Sequence, residues 1–313
     1  GEDAKLYDTV KAVGMELCPA LGISIPVGKD SLSMQTRWND GIDKAVRSPV
    51  SLIVTAFAPV SDVNKTLTPE LVKTDEPTRL LLIDIAQGKQ RMAQSILAQV
   101  TQQVGNVQDV PDCDSAETLK NAFAALQALR AAGLALAYHD KSDGGLFAAA
   151  AEMAFAAQTS VALNVDLLTI DPNTSDAGDF KINGVQMQVQ RQEALIKALF
   201  NEELGMLIQI RKDDTSAVMD VLRAHGLGAH SHIVGQVINT EQAKAEFSVW
   251  QDGESQFKQP LAVLHAAWCE TSFHIAKLRD NPACVEQDYS RAPAPPPQQL
   301  KFTPDAHNSA PSL

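Results

Sequence analysis

The nine residues 138–146, YHDKSDGGL, combine acidic, basic and hydroxyl side chains with two adjacent glycines ahead of an alanine-rich stretch. A strand that stops at such a turn and is followed at once by a helix leaves backbone N–H groups at the helix N-terminus, which attracts anions. Gly144 and Gly145 lack Cβ atoms, so a ligand can approach the backbone closely. Asp140 offers a hard oxygen ligand for Mg²⁺, and Ser142 offers a hydroxyl for a phosphate or nucleotide group. The turn is therefore a candidate site for a magnesium-bound nucleotide.

A simpler interpretation of the same turn stays open. Asp140 or Ser142 would cap the helix, and Asp143 would interact favourably with the helix dipole. His139 would orient the turn or fill core space, and we do not assign it as a base.

A second polar stretch, PVGKDSLSM at 26–34, holds further candidate phosphate or substrate contacts. Lys29 supplies a cation, Gly28 bare backbone and Ser31 a hydroxyl. The stretch lacks the GxxxxGK[ST] spacing of a phosphate loop, and no helix obviously follows it. An ordinary polar turn before a strand explains it equally well.

The remaining candidate clusters favour structural interpretations. NEELG (201–205) pairs two carboxylates between a helix and a strand, and we interpret it as a solvated helix end rather than a metal or acid–base site. His230 and His232 lack Cys or carboxylate partners for a metal. The scattered cysteines are interpreted as small apolar residues in a protein of the reducing cytoplasm; they are Cys18, Cys113, Cys269 and Cys284. The tryptophans are interpreted as packing residues; they are Trp38, Trp250 and Trp268. No cysteine lies in a nucleophile elbow, so we expect no glutaminase chemistry in this chain.

Composition excludes several classes of protein. The chain has 313 residues, 45% hydrophobic and 20% charged, with a formal net charge of −12. An acidic chain without a Lys/Arg stripe is a poor candidate for binding nucleic acid or anionic membrane. No apolar stretch reaches the about 18 residues that span a bilayer. The first residues lack both an initiator Met and a signal-peptide pattern, so we expect a cytoplasmic protein and a piece of a longer chain.

The elements that position these residues fall into two parts. In the first, apolar spacing predicts a helix over 3–20 ended by Pro19, strands at 23–27, 31–38 and 48–60, and a loop at 39–48. From residue 79 strands alternate with helices, which indicates an α/β or α+β domain. We predict strands at 79–86, 134–140, 160–168, 205–211 and 231–238, helices at 91–105, 117–133, 146–158, 193–203, 214–226 and 264–282, and a hairpin at 247–257.

Four motifs in order resemble one enzyme family. GISIPVGKDSLSMQTRW, AYHDKSDGGL, ALFNEELGMLIQI and AKLRDNPACVEQ are similar to phosphoribosylformylglycinamidine synthase, in the large single-chain form of proteobacteria. The resemblance is collinear over about residues 1–288. Each motif alone is weak, but four at suitable spacing are specific.

The resemblance implies an ATP- and glutamine-dependent ligase that converts formylglycinamide ribonucleotide to the amidine in purine synthesis. It also implies a duplicated synthetase core that belongs to the aminoimidazole ribonucleotide synthetase superfamily. Each half of this core would pair a β-rich domain with an α/β domain. Residues 1–75 would be the C-terminal part of the second β-rich domain. Residues 76–284 would be the second α/β domain with its closing hairpin and helix, and 285–313 a proline-rich linker to a glutaminase domain. The expected partners are the first core half and that glutaminase.

The resemblance also implies roles for single residues. Asp140 would bind Mg²⁺, and Ser142, beside Gly144 and Gly145, would contact ATP or a trapped structural ADP. Relatives carry Asn where this chain has Lys29, which favours a phosphate contact there over a metal contact. The loop AQGKQRMAQS (86–95) has fewer glycines than relatives do. We predict no catalytic residue in this segment and no activity of the segment alone.

Two rival functions remain open. The segment would be a non-catalytic module that holds a trapped ADP or pairs with the other core half. A less favoured alternative is another enzyme of the superfamily, the aminoimidazole ribonucleotide or selenophosphate synthetase, against which the KDSLSMQTRW and RDNP stretches argue.

Overall fold

A computed structural model describes residues 2–29, 34–60, 62–169 and 184–292. The chain begins with one continuous helical segment: α1 (Asp3–Val10), a π-helical stretch (Lys11–Leu17) and α2 (Cys18–Leu21). The predicted helix is confirmed, but Pro19 does not end it. Pro19 lies inside this continuous segment, just after the π-helical stretch, and Gly22 ends the helix at a φ of 76°.

The polar residues predicted as a loop at 39–48 are largely a hairpin. β1 (Gln35–Asn39) pairs antiparallel with β2 (Asp43–Arg47). The Asn39 amide donates to Asp43 Oδ1 at 2.7 Å, and the Gly41 N–H donates to Asn39 Oδ1 at 3.0 Å. These side-chain bonds close the turn, so the prediction of an open loop is wrong.

The predicted strands at 23–27 and 48–60 are absent, and both stretches are irregular. A strand needs a neighbour to take up its backbone N–H and C=O groups, and neither stretch pairs with another part of the described chain. Ile53 is 90% exposed and Phe57 is 94% exposed. The β-branched composition that predicted a strand at 48–60 therefore belongs to apolar residues that stay exposed in the described part of the chain.

A seven-stranded sheet forms the centre of the molecule, in the order β4-β6-β3-β7-β5-β8-β9. Its strands are β3 (Thr78–Asp84), β4 (Ala137–Lys141), β5 (Ser160–Asn164), β6 (Gly205–Arg211), β7 (Ser231–Ile238), β8 (Glu246–Gln251) and β9 (Glu254–Pro260). Strands β5 and β8 pair in parallel, and the other neighbours pair antiparallel. The hairpin β8–β9 turns at Asp252 and Gly253, both at positive φ, as its Asp-Gly pair predicted.

Helices cover both faces of this sheet. They are α3 (Ile96–Val100), α4 (Ala116–Ala131), α5 (Gly145–Ala157), α6 (Asp166–Thr169), α7 (Gly184–Phe200), α8 (Thr215–Ala224), α9 (Leu261–Arg279) and α10 (Pro282–Arg291). Because side chains alternate along a strand, Leu81 and Ile83 of β3 pack with α4 and α8, whereas Leu80 and Leu82 pack with α5. The predicted α/β (α+β) fold class is thus confirmed.

The predicted helix at 91–105 is mostly wrong. Only α3 is helical, and it starts at Ser95, whose hydroxyl accepts from the Ala98 N–H at 3.2 Å. Before it, the Ala93 N–H donates to the Asp109 carbonyl and the Gln94 N–H to the Val104 carbonyl. These bonds to distant residues replace the i→i−4 ladder of a longer helix.

Several predicted boundaries also change: the helices predicted at 193–203 and 264–282 run over Gly184–Phe200 and Leu261–Arg279. The strand predicted at 160–168 ends at Asn164, because the Asn164 side chain accepts from the Asp166 N–H at 3.0 Å and starts α6. Residues 285–291 were assigned to the linker but belong to α10, which Asn281 caps through the Ala283 N–H. The linker prediction for 293–313 lies outside the described residues.

In the part of the chain that the structure describes, every helix is too short or too polar to cross a membrane.

Candidate functional site

The 138–146 turn has the local structure that its sequence predicts. Strand β4 ends at Lys141, three residues follow, and α5 begins at Gly145. Gly144 has a φ of 79° and Gly145 a φ of 67°. Both glycines occupy the left-handed region, which residues with a Cβ rarely adopt.

The two predicted ligand-binding side chains of the turn face solvent. Asp140 and Ser142 are both exposed. The Tyr138 hydroxyl donates a hydrogen bond to Asp140 Oδ1. Burial, followed by this bond to Asp140, raises the pKa of Tyr138, so the phenol stays a donor over the ordinary pH range. Asp140 thus presents a carboxylate that one phenol orients and that solvent still reaches.

His139 ties the turn to α5. Its Nδ1 lies 2.8 Å from the Asp140 carbonyl oxygen, and its Nε2 lies 2.9 Å from Glu152 Oε2. Glu152 also accepts from the Trp268 indole at 3.1 Å, which extends the connection to α9. Both ring nitrogens of His139 are therefore engaged, in agreement with an orienting role rather than that of a base.

The backbone N–H groups of the two glycines already have partners inside the protein. The Gly144 N–H donates to Glu202 Oε1 at 2.9 Å, and the Gly145 N–H donates to the Ser142 carbonyl at 2.9 Å. A carboxylate of this chain thus occupies part of the anion position at the N-terminus of α5. Contact of Gly144 and Gly145 with a nucleotide stays a prediction.

The second candidate stretch is only partly described. Gly28 and Lys29 lie in an exposed, irregular segment ahead of β1, and the space around Gly28 is open. Ser31 lies outside the described residues. Contact of Gly28, Lys29 and Ser31 with a phosphate or substrate stays a prediction.

The NEELG segment, which we interpreted as a solvated helix end, is the most buried polar part of the site. Glu203 is fully buried and accepts three hydrogen bonds from Arg91: from its backbone N–H at 3.0 Å, from Nε at 2.6 Å and from Nη2 at 2.8 Å. Arg91 also donates to Asp114 Oδ2 at 2.8 Å. Hydrogen bonding to Glu203, followed by that to Asp114, raises the pKa of Arg91, so the guanidinium keeps its charge. The earlier interpretation is wrong because a partner 112 residues away neutralises the carboxylate.

Lys141 connects this buried cluster to the turn. Its ammonium donates to Asn201 Oδ1 at 2.5 Å, and its side chain is buried beside Gly205. Burial lowers the pKa of Lys141 to about 8, although the nearby carboxylates of Asp84 and Glu203 act in the opposite direction. No local pattern in the sequence links Lys141 to Asn201, so sequence analysis missed this contact.

The donors at the turn fit a magnesium ion only in part. Mg²⁺ commonly takes one or two protein carboxylates and completes its shell with water and phosphate oxygens. Asp140 supplies one such carboxylate. Across the described ranges, no group of three or more His, Cys, Asp or Glu side chains is placed to hold a metal. An ion at Asp140 would therefore take most of its remaining ligands from water and from the phosphates of the nucleotide.

A cleft that the sequence did not predict lies between residues 89–109 and α7. Its volume is about 770 Å³, and its walls include Arg91, Leu97, Ile196 and Lys197. None of the predicted site residues that the structure describes lines it.

The tryptophans, predicted as packing residues, are only partly buried. Trp38 is 44% exposed and Trp268 is 57% exposed, and the Trp268 ring packs against the rings of Phe155 and His265. Among the cysteines, Cys18 is buried as predicted and Cys284 is exposed.

Comparison with known proteins matches two family models. Residues 1–59 match the FGAR-AT PurM_N-like domain, and residues 87–247 match the AIR synthase related protein, C-terminal domain.

Among solved structures, PurL of Thermotoga maritima complexed with ATP is 13% identical with a TM-score of 0.43; the match covers 70% of this chain and 28% of that one. PurL of the same organism complexed with FGAR gives 13% identity and a TM-score of 0.43, over 70% of this chain and 30% of that one. HypE of E. coli, a hydrogenase maturation protein, gives 16% identity and a TM-score of 0.39; the match covers 62% of this chain and 52% of that one. This chain thus spans less than a third of the PurL chains, and similarity at this level carries no argument about its activity.

The family models cover both parts of the described chain, and the second includes the 138–146 turn and the NEELG segment. With residues 87–247, just over half of its 313 residues, matching that model, the chain belongs to the AIR synthase related family, of which it carries the C-terminal domain.

Proposed function

We propose that this chain is the C-terminal part of the synthetase core of phosphoribosylformylglycinamidine synthase, in its large single-chain form. The whole enzyme would be a cytoplasmic, ATP- and glutamine-dependent ligase that converts formylglycinamide ribonucleotide to the amidine. Residues 1–75 would complete the second β-rich domain, and 76–284 would form the second α/β domain. The residues after α10 would lead to the glutaminase, and the segment alone would be inactive.

The observation that carries the proposal is the 138–146 turn. An exposed carboxylate, an exposed hydroxyl and two glycines at positive φ stand together where a strand ends and a helix begins. A magnesium ion there would neutralise phosphate charge when bound. Asp140 would hold the ion, oriented by the Tyr138 hydroxyl, and the Ser142 hydroxyl would donate to the nucleotide. Gly144 and Gly145 would keep the backbone clear of side chains at the contact.

Gly28, Lys29 and Ser31 are proposed as a second contact, with Lys29 meeting a phosphate. The pocket for ATP, or for a structural ADP, would then form between the two parts of the chain and the missing core half.

Titration of the intact protein with Mg²⁺·ADP tests the role of the turn. We expect Asp140→Asn to weaken binding by about tenfold or more, because a charge-assisted contact is lost. Ser142→Ala should weaken it less, because it removes one neutral hydrogen bond. Asp143→Asn is the matched control: it removes the same charge from the neighbouring exposed position of the turn and should leave binding nearly unchanged. Equal effects of the two Asp variants would remove the assignment of Asp140.

An assay of glutamine-dependent amidine formation by the intact protein tests the reaction.

A second candidate function is favoured by the exposed apolar residues at 48–60. The segment would then be a structural module that pairs with the other core half, or holds a trapped ADP, without taking part in chemistry. Sedimentation of the chain alone tests the pairing: association that depends on concentration supports it, and a folded monomer at all concentrations contradicts it.

A further inference from the structure

The segment 199–205 holds the 138–146 turn at three points. The Lys141 ammonium meets Asn201 Oδ1 at 2.5 Å, on the strand side of the turn. The Gly144 N–H meets Glu202 Oε1 at 2.9 Å, on the helix side. Between α5 and the end of α7 the packing is so close that a Cβ on Gly145 would lie 2.6 Å from the Leu199 carbonyl oxygen. The exposed residues of the turn are thus fixed on both sides by one short segment.

Glu202 is itself fixed by a third element. Its Oε1 also accepts the Ile96 N–H at 2.8 Å, at the start of α3. One carboxylate oxygen therefore joins α3, the end of α7 and the N-terminus of α5. A half-buried carboxylate that receives two backbone donors is held more firmly than a solvated one.

The turn needs such a constraint because its own backbone is permissive. Gly144 and Gly145 reach many conformations when unconstrained, and ordering them costs more entropy than ordering other residues. Asp140 and Ser142 lie within four residues of Gly144, so a different glycine conformation would move both side chains relative to one another.

We propose that Glu202, supported by Asn201, is a positioning residue that holds the 138–146 turn in the shape that takes up a magnesium-bound nucleotide. This inference rests on the function proposed for the turn. Glu202 itself accepts the Gly144 N–H, so this amide is not free to bind the nucleotide. The phosphates instead contact the metal at Asp140 and the hydroxyl of Ser142.

Hydrogen exchange and nucleotide titration of the intact protein together test the proposal. We expect Glu202→Ala to speed exchange at the Gly144 amide by about tenfold, the equivalent of one lost hydrogen bond, and to weaken Mg²⁺·ADP binding about as much. Glu202→Gln retains an acceptor oxygen, so its Gly144 exchange rate and its Mg²⁺·ADP affinity should stay within about twofold of the wild type. Glu202→Asp keeps the charge and the fold but shortens the reach, so it should behave like Glu202→Ala. The matched control is Glu193→Ala on α7, where an exposed carboxylate pairs with Lys197 and neither measurement should change.

Two results would overturn the proposal. One is an unchanged Gly144 exchange rate in both Glu202→Ala and Glu202→Asp. The other is a Glu202→Ala variant whose Gly144 amide exchanges faster but which binds Mg²⁺·ADP as tightly as the wild type. If the wild-type protein takes up no Mg²⁺·ADP, the function proposed for the turn fails, and the exchange rates alone still decide whether Glu202 holds the turn.

Discussion

At the scale of single residues, Lys141 combines an unfavourable environment with a position next to the candidate site. Its ammonium is buried and donates to a neutral amide oxygen, Oδ1 of Asn201, at 2.5 Å. The carboxylates of Asp84 and Glu203 oppose the effect of burial on its pKa, but Glu203 is already paired with Arg91. The positive charge on Lys141 is therefore maintained at a cost in stability, which the lowered pKa expresses.

This cost predicts a pH dependence. The pKa of Lys141 is about 8 in the folded protein, against 10.5 for an unperturbed lysine. At pH values between these two pKa values, Lys141 is more fully protonated in the unfolded chain than in the folded chain, so the free energy of unfolding rises with pH. We expect the free energy of unfolding of the wild type, minus that of Lys141→Met, to increase from pH 8 to about pH 10, by up to about 3 kcal/mol.

Denaturant unfolding of both proteins at several pH values measures this difference, and subtracting the variant removes the titration of all other groups. A difference that stays constant with pH would show that burial does not govern the Lys141 charge.

At the scale of elements, the contact between α5 and the end of α7 depends on alanine and glycine. Nine of the thirteen residues of α5 are buried, and most of them are alanines. Gly145 faces the backbone at the end of α7 directly, next to the Leu199 and Asn201 carbonyl oxygens. Small residues let the helices approach closely, and this approach brings Asn201 and Glu202 to the turn.

Gly145→Ala should therefore be costly. A Cβ would lie 2.6 Å from the Leu199 carbonyl oxygen and 2.7 Å from the Asn201 carbonyl oxygen, so backbone must move. We expect a loss of roughly 2–4 kcal/mol in the free energy of unfolding, which combines positive-φ strain with overpacking.

Gly133→Ala is the matched control for this substitution. Gly133 has nearly the same φ, 68°, but open space around it, so only the strain of about 1 kcal/mol should appear. Thermal or denaturant unfolding measures both variants. Equal losses would mean that the α5–α7 contact relaxes without cost.

At the scale of the whole molecule, the two parts of the chain differ in how well they bury apolar surface. The seven-stranded sheet is covered on both faces, whereas the first 60 residues expose many large apolar side chains. An exposed cluster of this kind is typical of an interaction surface. Such a surface favours a chain that functions with a partner, as both proposed functions require.

The exposed residues at 48–60 should drive association of the chain. We expect Ile53→Lys combined with Phe57→Lys to reduce concentration-dependent association, because both side chains are almost fully exposed. The free energy of unfolding should change by no more than about 0.5 kcal/mol, as is usual at exposed sites.

Val107→Lys is the control, since Val107 is 87% exposed but lies in the second part of the chain. Sedimentation velocity over a range of concentrations compares the three proteins. If the double variant associates as strongly as the wild type, the interface lies elsewhere.

The sequence alone determined the elements whose signals are local. The buried apolar run of β3, the alanine-rich α5 and the Asp-Gly turn of β8–β9 each predicted their structure, because the pattern and the structure involve the same few residues. The 138–146 turn was predicted for the same reason: its glycines, its strand and its helix are adjacent in the chain.

Only the tertiary structure decided what depends on residues far apart in sequence. Residues 48–60 and 91–105 have the right composition for a strand and a helix, but the first lacks a described neighbour and the second bonds to distant carbonyls. Glu203 is buried because Arg91, 112 residues earlier, neutralises it, and Glu202 reaches the Gly144 N–H across 58 residues. Composition and periodicity describe a residue's near neighbours along the chain, whereas burial and hydrogen bonding depend on the neighbours that folding brings together.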